Sequence, residues 1–380
     1  MEESFLKFEF DVFKRLNRKK KSSLVSPYSI GICFSYLSNL VKDENTRNEI
    51  QKVLHCDKKK KYNEIIEEMR NLESSIENEY NKDNIKTANI LFTDKMNDEI
   101  EVLEEEYLPN IVNLTLINSR SSTINKTVKE RTGGRISRIM NPIINYSMSS
   151  FFMTSVSHFE SGWSNNVKEH LGECKQIFQG FHEKNEVEMV IIEGTEINLY
   201  KDKKLRMIEI PFSNEEFSFM MIKTKKKSAR SFYKMIEKMN FEQFSKIQEN
   251  KKKKNIQIIF PKFDIETDTF NINDYLREIG IKHKIEINTN CHMNQIIQKC
   301  SISINCEGCI NVIKETRDEY KTKHDSNKGH KSKKTKKTKK SKKESMIFNR
   351  PFIFFIVKHK PNIIIHSGVM LMPKLQGIGS

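Results

Sequence analysis

The sequence predicts an α+β fold in which helices come first and large, mostly antiparallel sheets follow. Through residue 79, apolar side chains recur at the three- and four-residue spacing of amphipathic helices. From residue 86 onward, most apolar residues occur in short segments rich in Ile, Phe and Val, which is typical of strands. Few helical segments separate these strands, whereas a wound α/β fold would alternate strands with helices.

The N-terminal region is predicted to consist of helices. Phe5, Phe8 and Val12 lie on one helical face, so they indicate an amphipathic helix. Ser26 is a suitable N-cap for the next helix, and Pro27 fits its first position, where a backbone N–H would have no partner. The helices predicted here span 5–16, 27–40, 45–54 with a cap near Asn45, and 62–79.

Beyond residue 85 the apolar pattern changes to that of strands, with three helical interruptions. The predicted strands span 86–92, 151–159, 204–210, 217–222, 256–263, 295–304, 352–357 and 362–371. The predicted helices span 100–110, 123–140 and 228–248.

The net charge of +16 is concentrated in one segment. Between Lys321 and Lys343 there are twelve lysines and one acid, Asp325, so this stretch carries +11 and the rest of the chain +5. The high pI therefore does not indicate that the whole protein binds nucleic acid. The low-complexity part, Lys328–Lys343, repels itself and lies before two strong strand candidates, so it is predicted to be a solvated loop.

The expected compartment is the cytoplasm. The first ten residues, MEESFLKFEF, lack the basic and continuous apolar regions of a signal peptide, and the longest apolar runs are too short to span a bilayer. Seven cysteines are too few for a disulfide scaffold, and their odd number does not allow all of them to pair. Free thiols in a reducing compartment are therefore expected. A nuclear or non-classically extracellular location stays open as an alternative.

No cofactor and no metal are predicted. Cys306 and Cys309, with Cys300 and Cys291 nearby, could suggest a zinc site or a regulatory disulfide, but inert free thiols are the expected state. The sequence has neither a G-x-S-x-G motif nor a glycine-rich phosphate loop, so a hydrolase or nucleotide enzyme is not expected.

Seven motifs, in the right order over about 360 residues, resemble those of the serpin (serine protease inhibitor) family. They are the 8–13 helix with Ser26-Pro27-Tyr28-Ser29-Ile30, the 45–55 helix, Ala88-Asn89 with Leu91-Phe92, the 124–136 segment with Thr132-Gly133-Gly134, Phe159 with Trp163, Pro261-Lys262-Phe263 with Ile265-Glu266, and Phe348-Asn349-Arg350-Pro351-Phe352. The richness in Lys, Ile and Asn indicates an AT-rich genome and hence a compact viral-type or protist member.

The resemblance implies one serpin domain over residues 1–380, expected to be a monomer. It implies three mostly antiparallel sheets, eight or nine helices and an exposed reactive-centre loop, with the hinge and loop at 306–347. It also implies inhibition of a serine-type, or cross-class cysteine, endopeptidase. The protease cleaves the loop as a suicide substrate, and the loop then inserts into the main sheet and distorts the covalently attached protease. No serpin residue would be catalytic.

The hinge departs from the family pattern. Glu307 and Gly308 match, but the usual run of small residues is replaced. If alternate positions face inward from Cys309, then Asn311 and Glu315 would be buried on insertion, at a cost of several kcal/mol. Slow insertion favours a cleaved substrate over a trapped protease, so a non-inhibitory serpin is the alternative function. The replaced residues are Cys309, Ile310, Asn311, Val312, Ile313, Lys314 and Glu315.

The loop is also longer than is usual in the family. Gly308 and Phe348 are 40 positions apart, where a little over 20 is usual. The usual length would place the scissile bond near Thr322-Lys323, with Lys321 as a further candidate. Two smaller departures concern the main sheet: the family's Asn is replaced near Ser155, and the segment between 281 and 295 is short.

The lysine tract has three interpretations that the sequence leaves open. It is a passive insertion, a binding segment for a polyanion such as nucleic acid, a heparin-like chain or acidic lipid, or protease bait or a localisation signal. Without interleaved aromatic residues, any nucleic-acid binding would be independent of sequence and sensitive to salt. The candidate polyanion-binding residues are Lys331, Lys333, Lys334, Lys336, Lys337, Lys339, Lys340, Lys342 and Lys343.

Overall fold

The structure is a computed structural model, and nine α-helices lie within the residues that it describes. Those residues are 2–16, 21–57, 60, 62–78, 80–93, 110–114, 120–140, 151–283, 285–288, 291–310 and 344–373. The helices are α1 Glu2–Leu16, α2 Pro27–Leu40, α3 Glu44–Val53, α4 Tyr62–Ile76, α5 Arg120–Arg131, α6 Asn165–Lys168, α7 Ala229–Lys238, α8 Phe241–Asn250 and α9 Leu276–Ile279.

Most predicted helices form where the pattern places them, and their ends follow from local chemistry. Ser26 caps α2 by accepting a hydrogen bond from the Ser29 N–H at 3.2 Å. The cap of α3 is Asp43 rather than Asn45, because the Asp43 carboxylate accepts the Thr46 N–H at 2.7 Å. The predicted helix at 100–110 lies almost entirely outside the described residues.

Two predicted helices differ from the helices in the structure. The helix predicted over 123–140 ends at Arg131, because Gly133 and Gly134 adopt positive φ angles of 58° and 80° and stop it. The helical stretch predicted over 228–248 is two helices, α7 and α8, with Asn240 capping the second through the Gln243 N–H. No helix in the described part of the chain is long and apolar enough to cross a membrane.

The strands form sheets that are mostly antiparallel. Within the described residues they are β1 Ser23–Val25, β2 Ile85–Thr93, β3 Ile111–Asn113, β4 Phe151–Phe159, β5 Ser161–Gly162, β6 Leu171–Gln179, β7 Lys184–Lys201, β8 Leu205–Pro211, β9 Phe217–Thr224, β10 Lys252–Pro261, β11 Phe263–Glu266, β12 Phe270–Asn271, β13 Glu286–Asn288, β14 Cys291–Ile304, β15 Gly308–Cys309, β16 Ser345–Ile347, β17 Phe352–Lys358 and β18 Ile363–Met370.

The main sheet has the strand order β3-β2-β4-β14-β15-β5, with β11, β12 and β13 also pairing with β14. The second sheet runs β1-β18-β17-β9-β8-β7-β10-β16, with β6 also pairing with β7. β7 is 18 residues long, so its first half pairs with β6 and its last residues pair with β8. The predicted α+β fold of helices and antiparallel sheets is confirmed.

The C-terminal strands form the centre of the second sheet. Every residue of β17 and β18 is buried, and β17 lies between β9 and β18. Phe354 packs against Phe219 and Phe263 at ring-centroid distances of 6.0 and 5.3 Å. On the other face of β17, Phe355 packs against Phe13 of α1 at 5.1 Å. The segment after the predicted reactive loop is therefore an integral part of the core.

Candidate functional site: the hinge and the seam of the main sheet

The candidate site begins where β4 and β14 lie side by side in the main sheet. These two strands are parallel and directly paired, from Gln295 opposite Phe152 to Ser301 opposite His158. Above the last of these pairs the strands separate, and the two-residue strand β15 lies between β14 and β5. The two strands of the main sheet are thus paired along the β4–β14 seam. They are separated by another strand beyond the Ser301–His158 pair, at the end nearest the hinge.

β15 consists of the two residues at which the predicted insertion would start. Cys309 lies opposite Ile304 on one side and Ser161 on the other, in antiparallel pairing. It is fully buried, and its thiol donates to the Phe159 carbonyl at 3.3 Å. A short piece of the hinge therefore already occupies the position of a central strand.

Gly308 fits this position because it has no side chain. Its φ angle is +142°, and an added Cβ would overlap the Ser161 carbonyl oxygen and lie 2.7 Å from Gly162 Cα. Atoms cannot approach so closely without displacement of the backbone. Packing thus explains why the Glu307-Gly308 pair, which resembles the family's hinge, has glycine as its second residue.

The turn before β15 is held by Asn305 and Trp163. The Asn305 N–H donates to the Gly308 carbonyl at 2.9 Å, and the Asn305 side-chain amide donates to the Ile310 carbonyl at 2.7 Å. Trp163 donates its backbone N–H to the Glu307 carbonyl and its indole N–H to the Asn305 carbonyl, each at 3.0 Å. Trp163 is fully buried and stacked on a phenylalanine ring, so this turn rests on a rigid support.

The structure describes only the first part of the predicted hinge. Glu307 is exposed, Gly308 and Cys309 are buried, and Ile310 is half-buried. The chain is described again from Glu344, where β16 pairs in parallel with β10. The predicted residues outside the described part are Asn311, Val312, Ile313, Lys314, Glu315, Lys321, Thr322, Lys323 and the lysines from Lys331 to Lys343.

Both hinge thiols are protonated at neutral pH. Burial raises the pKa of Cys306 to about 11, and the Glu173 carboxylate beside it acts in the same direction. Burial also raises the pKa of Cys309. Neither forms a disulfide, and the described residues contain no cluster of three or more His, Cys, Asp or Glu able to hold a metal ion.

Beneath the seam lies a buried polar network that the sequence analysis did not identify. Gln298 of β14 donates to the Ser26 carbonyl at 3.0 Å and to the Ser155 hydroxyl of β4 at 3.3 Å. Ser155 in turn donates to the Ser29 hydroxyl at 3.1 Å, and Ser29 donates to Asn89 of β2. This network joins α2 to both strands of the seam. Its signal in the sequence is Gln298, a polar residue in the middle of a strand candidate that contains four Ile residues.

Some polar atoms of this network have no partner. The carbonyl oxygen of Gln298 and the amide nitrogen of Asn89 are buried without a hydrogen bond in the structure. Unpaired buried polar atoms cost about 1–3 kcal/mol each. The polar network beneath the β4–β14 seam is therefore incompletely hydrogen-bonded in the described structure.

Three features define an architecture shared with known proteins: the paired β4–β14 seam, the position of β15 between β14 and β5, and the buried C-terminal strands. The family model for serpins (serine protease inhibitors) matches residues 3–373, and the chain belongs to this family. Serpin B5 of Xenopus laevis is 23% identical, over 94% of this chain and 93% of that protein. The leukocyte elastase inhibitor of Xenopus laevis is 20% identical, over 79% of this chain and 85% of that protein.

A solved structure shows the same fold. The crystal structure of native protease nexin-1 with heparin superposes with a TM-score of 0.79 over 98% of this chain and 99% of that chain. The sequence identity of this pair is 18%, so the likeness concerns the fold alone.

Proposed function

We propose that the chain presents the loop after Gly308 to a serine-type, or cross-class cysteine, endopeptidase as a suicide substrate. The observation that carries this proposal is the position of β15, the first two residues of the proposed inserting strand, between β14 and β5. The remaining part of that strand would enter along the β4–β14 seam. Cleavage of the loop would free it to do so.

Insertion would exchange one set of hydrogen bonds for a larger one. The single ladder between β4 and β14 would be replaced by two ladders, one on each side of the new strand. The Gln298–Ser155 contact would break, because these side chains would no longer lie on adjacent strands. A protease attached to the loop by an ester would be carried along, and distortion of its oxyanion hole would stop deacylation.

The composition of the hinge sets how often the protease would be trapped. Insertion competes with hydrolysis of the ester, and side chains that resist burial slow the insertion. Asn311 and Glu315 are predicted to face inward, and an unpaired buried carboxylate costs several kcal/mol. We therefore expect most encounters with a protease to end in a cleaved loop and a free protease.

A second candidate function follows from the same two residues and from the charge of the loop. In this alternative, the chain is a non-inhibitory serpin, and the lysine tract binds a polyanion such as nucleic acid or a heparin-like chain. The charge of +11 between Lys321 and Lys343 favours this possibility. Both candidates assume a monomer in the cytoplasm.

Incubation with proteases separates the two candidates. Trypsin-like, furin-like and cathepsin-type proteases are each mixed with the protein, and the products are analysed by denaturing gel and by mass spectrometry of the cut. A complex that survives SDS at near one-to-one stoichiometry establishes inhibition and excludes the alternative. Cleavage within 311–343 without any complex, by all three classes, argues against inhibition.

A further inference from the structure

Three cations lie together at the end of the second sheet where the chain returns from the reactive loop. Arg206 near the start of β8 and Lys223 near the end of β9 are direct partners in the antiparallel ladder, so their side chains share one face. Arg350 follows β16, and its guanidinium donates to the Thr224 carbonyl, next to Lys223, at 2.6 Å. Like charges directly opposite each other destabilise a sheet, so their presence here requires a reason.

The three side chains are held by carbonyl oxygens and an aromatic ring rather than by carboxylates. Lys223 is only 9% exposed, donates to the Ile347 carbonyl and lies 4.8 Å from the centre of the Phe348 ring. Arg206 donates to the Leu205 carbonyl at 2.7 Å. Across the described residues, none of the three forms an ion pair. One terminal nitrogen of Arg350, Nη1, is buried without any acceptor.

The electrostatics of the cluster show that negative charge is missing. Burial, together with the positive charges of Arg350 and Arg206, lowers the pKa of Lys223 to about 7. Burial, with Arg206 and Lys254, also lowers the pKa of Lys201, although Lys201 pairs with Glu344. Further charged groups on the adjoining turns and loops are Asp202, Lys203, Lys204, Lys225, Lys226 and Lys227.

We propose that Arg206, Lys223 and Arg350 form a binding site for a tetrahedral oxyanion, a sulfate or phosphate group. Such a group offers acceptors to the unpaired Arg350 Nη1 and to several donors at once, and guanidinium groups suit this geometry. Its two negative charges relieve the repulsion between Arg206 and Lys223. Because Lys223 also holds the Ile347 carbonyl, the bound anion fixes the point at which the reactive loop rejoins the sheet.

This site is separate from the lysine tract and does not depend on the proposed inhibition. The tract contains ten lysines between Lys328 and Lys343, whereas the site has three cationic side chains, each held by a hydrogen bond to a backbone carbonyl. An anion in the site keeps Lys223 protonated and so raises its pKa. Binding therefore takes up protons near neutral pH, and the affinity falls as the pH rises from 6 to 8. Lysines with ordinary pKa values, about 10.4, would show no such dependence between pH 6 and 8.

The test is a titration of the full chain with sulfate, which itself does not titrate between pH 6 and 8, at constant ionic strength. Calorimetry in two buffers of different ionisation enthalpy measures the proton uptake. We expect saturable binding in the wild type and an affinity at least tenfold lower in Arg206→Gln and Arg350→Gln. The control is Lys175→Met, which removes an exposed lysine on β6 and should leave the affinity unchanged.

Two further arms complete the test. Lys223→Met should abolish the proton uptake, and Arg206→Gln keeps the test valid if Lys223→Met fails to fold. A parallel titration with a sulfated disaccharide distinguishes a free ion from a sugar-borne group: the tighter ligand identifies the source. Non-saturable binding of both ligands, or equal affinity in Arg206→Gln and Lys175→Met, would overturn the site.

Discussion

At the scale of single residues, the hinge depends on Gly308. The neighbouring strands leave no room for a Cβ, and the φ angle of +142° is one that side-chain-bearing residues rarely adopt. A sequence pattern can identify this glycine by family resemblance. It cannot reveal the reason, because the obstacle is the backbone of Ser161 and Gly162, nearly 150 positions away in the chain.

Gly308→Ala should therefore expel β15 from between β14 and β5. The clash is with backbone atoms that cannot rotate away, so we expect the free energy of unfolding to fall by about 1–3 kcal/mol. Trp163, which donates to the Asn305 and Glu307 carbonyls, should change its fluorescence, and it is the single Trp of the chain. Urea denaturation followed by this fluorescence measures both effects.

Gly134→Ala is the matched control for that substitution. Gly134 has a φ angle of +80°, but an added Cβ there meets nothing within 4 Å. Gly134→Ala should lower the free energy of unfolding only by the backbone strain, about 1 kcal/mol, and should leave the Trp163 fluorescence spectrum unchanged. Equal effects of the two substitutions on the spectrum would contradict the steric argument for Gly308.

A second residue-scale prediction concerns two carboxylates at the end of α4. Tyr36 donates to Glu73, and Tyr28 donates to Glu77 at 2.8 Å. Burial and the neighbouring Glu77 raise the pKa of Glu73 to about 7, and burial raises that of Glu77. The stability that Glu73 contributes is therefore fully present below pH 4.5, its ordinary pKa, and is lost as the pH rises through 7.

Glu73→Gln should remove this loss. The variant should gain stability over the wild type as the pH rises from 5 to 8, by an amount on the order of 1–3 kcal/mol. Denaturation at several pH values measures the difference. Glu67→Gln on the exposed side of α4 is the control and should stay parallel to the wild type. A pH-independent difference between Glu73→Gln and the wild type would contradict the prediction.

At the scale of elements, the sequence predicted strands whose two faces are both buried and missed those with a polar face. β4 has the predicted bounds because all nine of its residues are buried. β6 and the first half of β7 went unpredicted because charged residues alternate along them. The helix break at Gly133 and Gly134 was also missed, although the two glycines were noted as part of a motif.

The candidate site was only partly predictable for a related reason. The hinge residues can be identified by resemblance. The position of β15 could not be predicted, because it depends on pairing with β5, which is far away in the chain. The Gln298–Ser155 contact joins residues 143 positions apart. Periodicity reports which face of an element is buried, and it contains no information on which two elements meet.

Exchange of the hinge side chains tests the proposed insertion at this scale. One variant replaces the predicted inward residues Asn311, Ile313 and Glu315 with Ala or Thr, which removes the cost of burying them. The fraction of protease held in an SDS-stable complex should rise several-fold. Gel densitometry over a range of serpin-to-protease ratios measures this fraction.

The matched control replaces the alternate residues Ile310, Val312 and Lys314 in the same way. These side chains are predicted to face outward, so their exchange should leave the trapped fraction unchanged. If both variants trap equally well, the inward-face assignment is wrong. If neither traps, the hinge is not the step that limits inhibition.

At the scale of the whole molecule, a cut in the loop should not separate the two parts of the chain. Residues from Phe348 onward include β17 and β18, whose large side chains are fully buried. Each buried Phe or Ile side chain contributes about 1.5–3 kcal/mol relative to exposure, so several together hold the fragment firmly. After proteolysis, the fragment should elute with the body of the protein on native gel filtration and separate only in denaturant. Its release as a free peptide would contradict the fold.

The lysine tract allows a last prediction about the molecule as a polyelectrolyte. Replacement of Lys328–Lys343 by a Gly/Ser segment of equal length removes ten lysines and lowers the net charge from +16 to +6 without shortening the loop. Binding to heparin or duplex DNA releases counterions, so the logarithm of affinity should fall linearly with that of salt concentration, more steeply in the wild type. The variant should elute from a heparin column at lower salt and melt at an unchanged temperature, because the tract is predicted to bury no apolar area. DNA sequence should not matter, since lysines contact phosphates without reading base edges. Elution at the same salt concentration would show that the tract is a passive insertion.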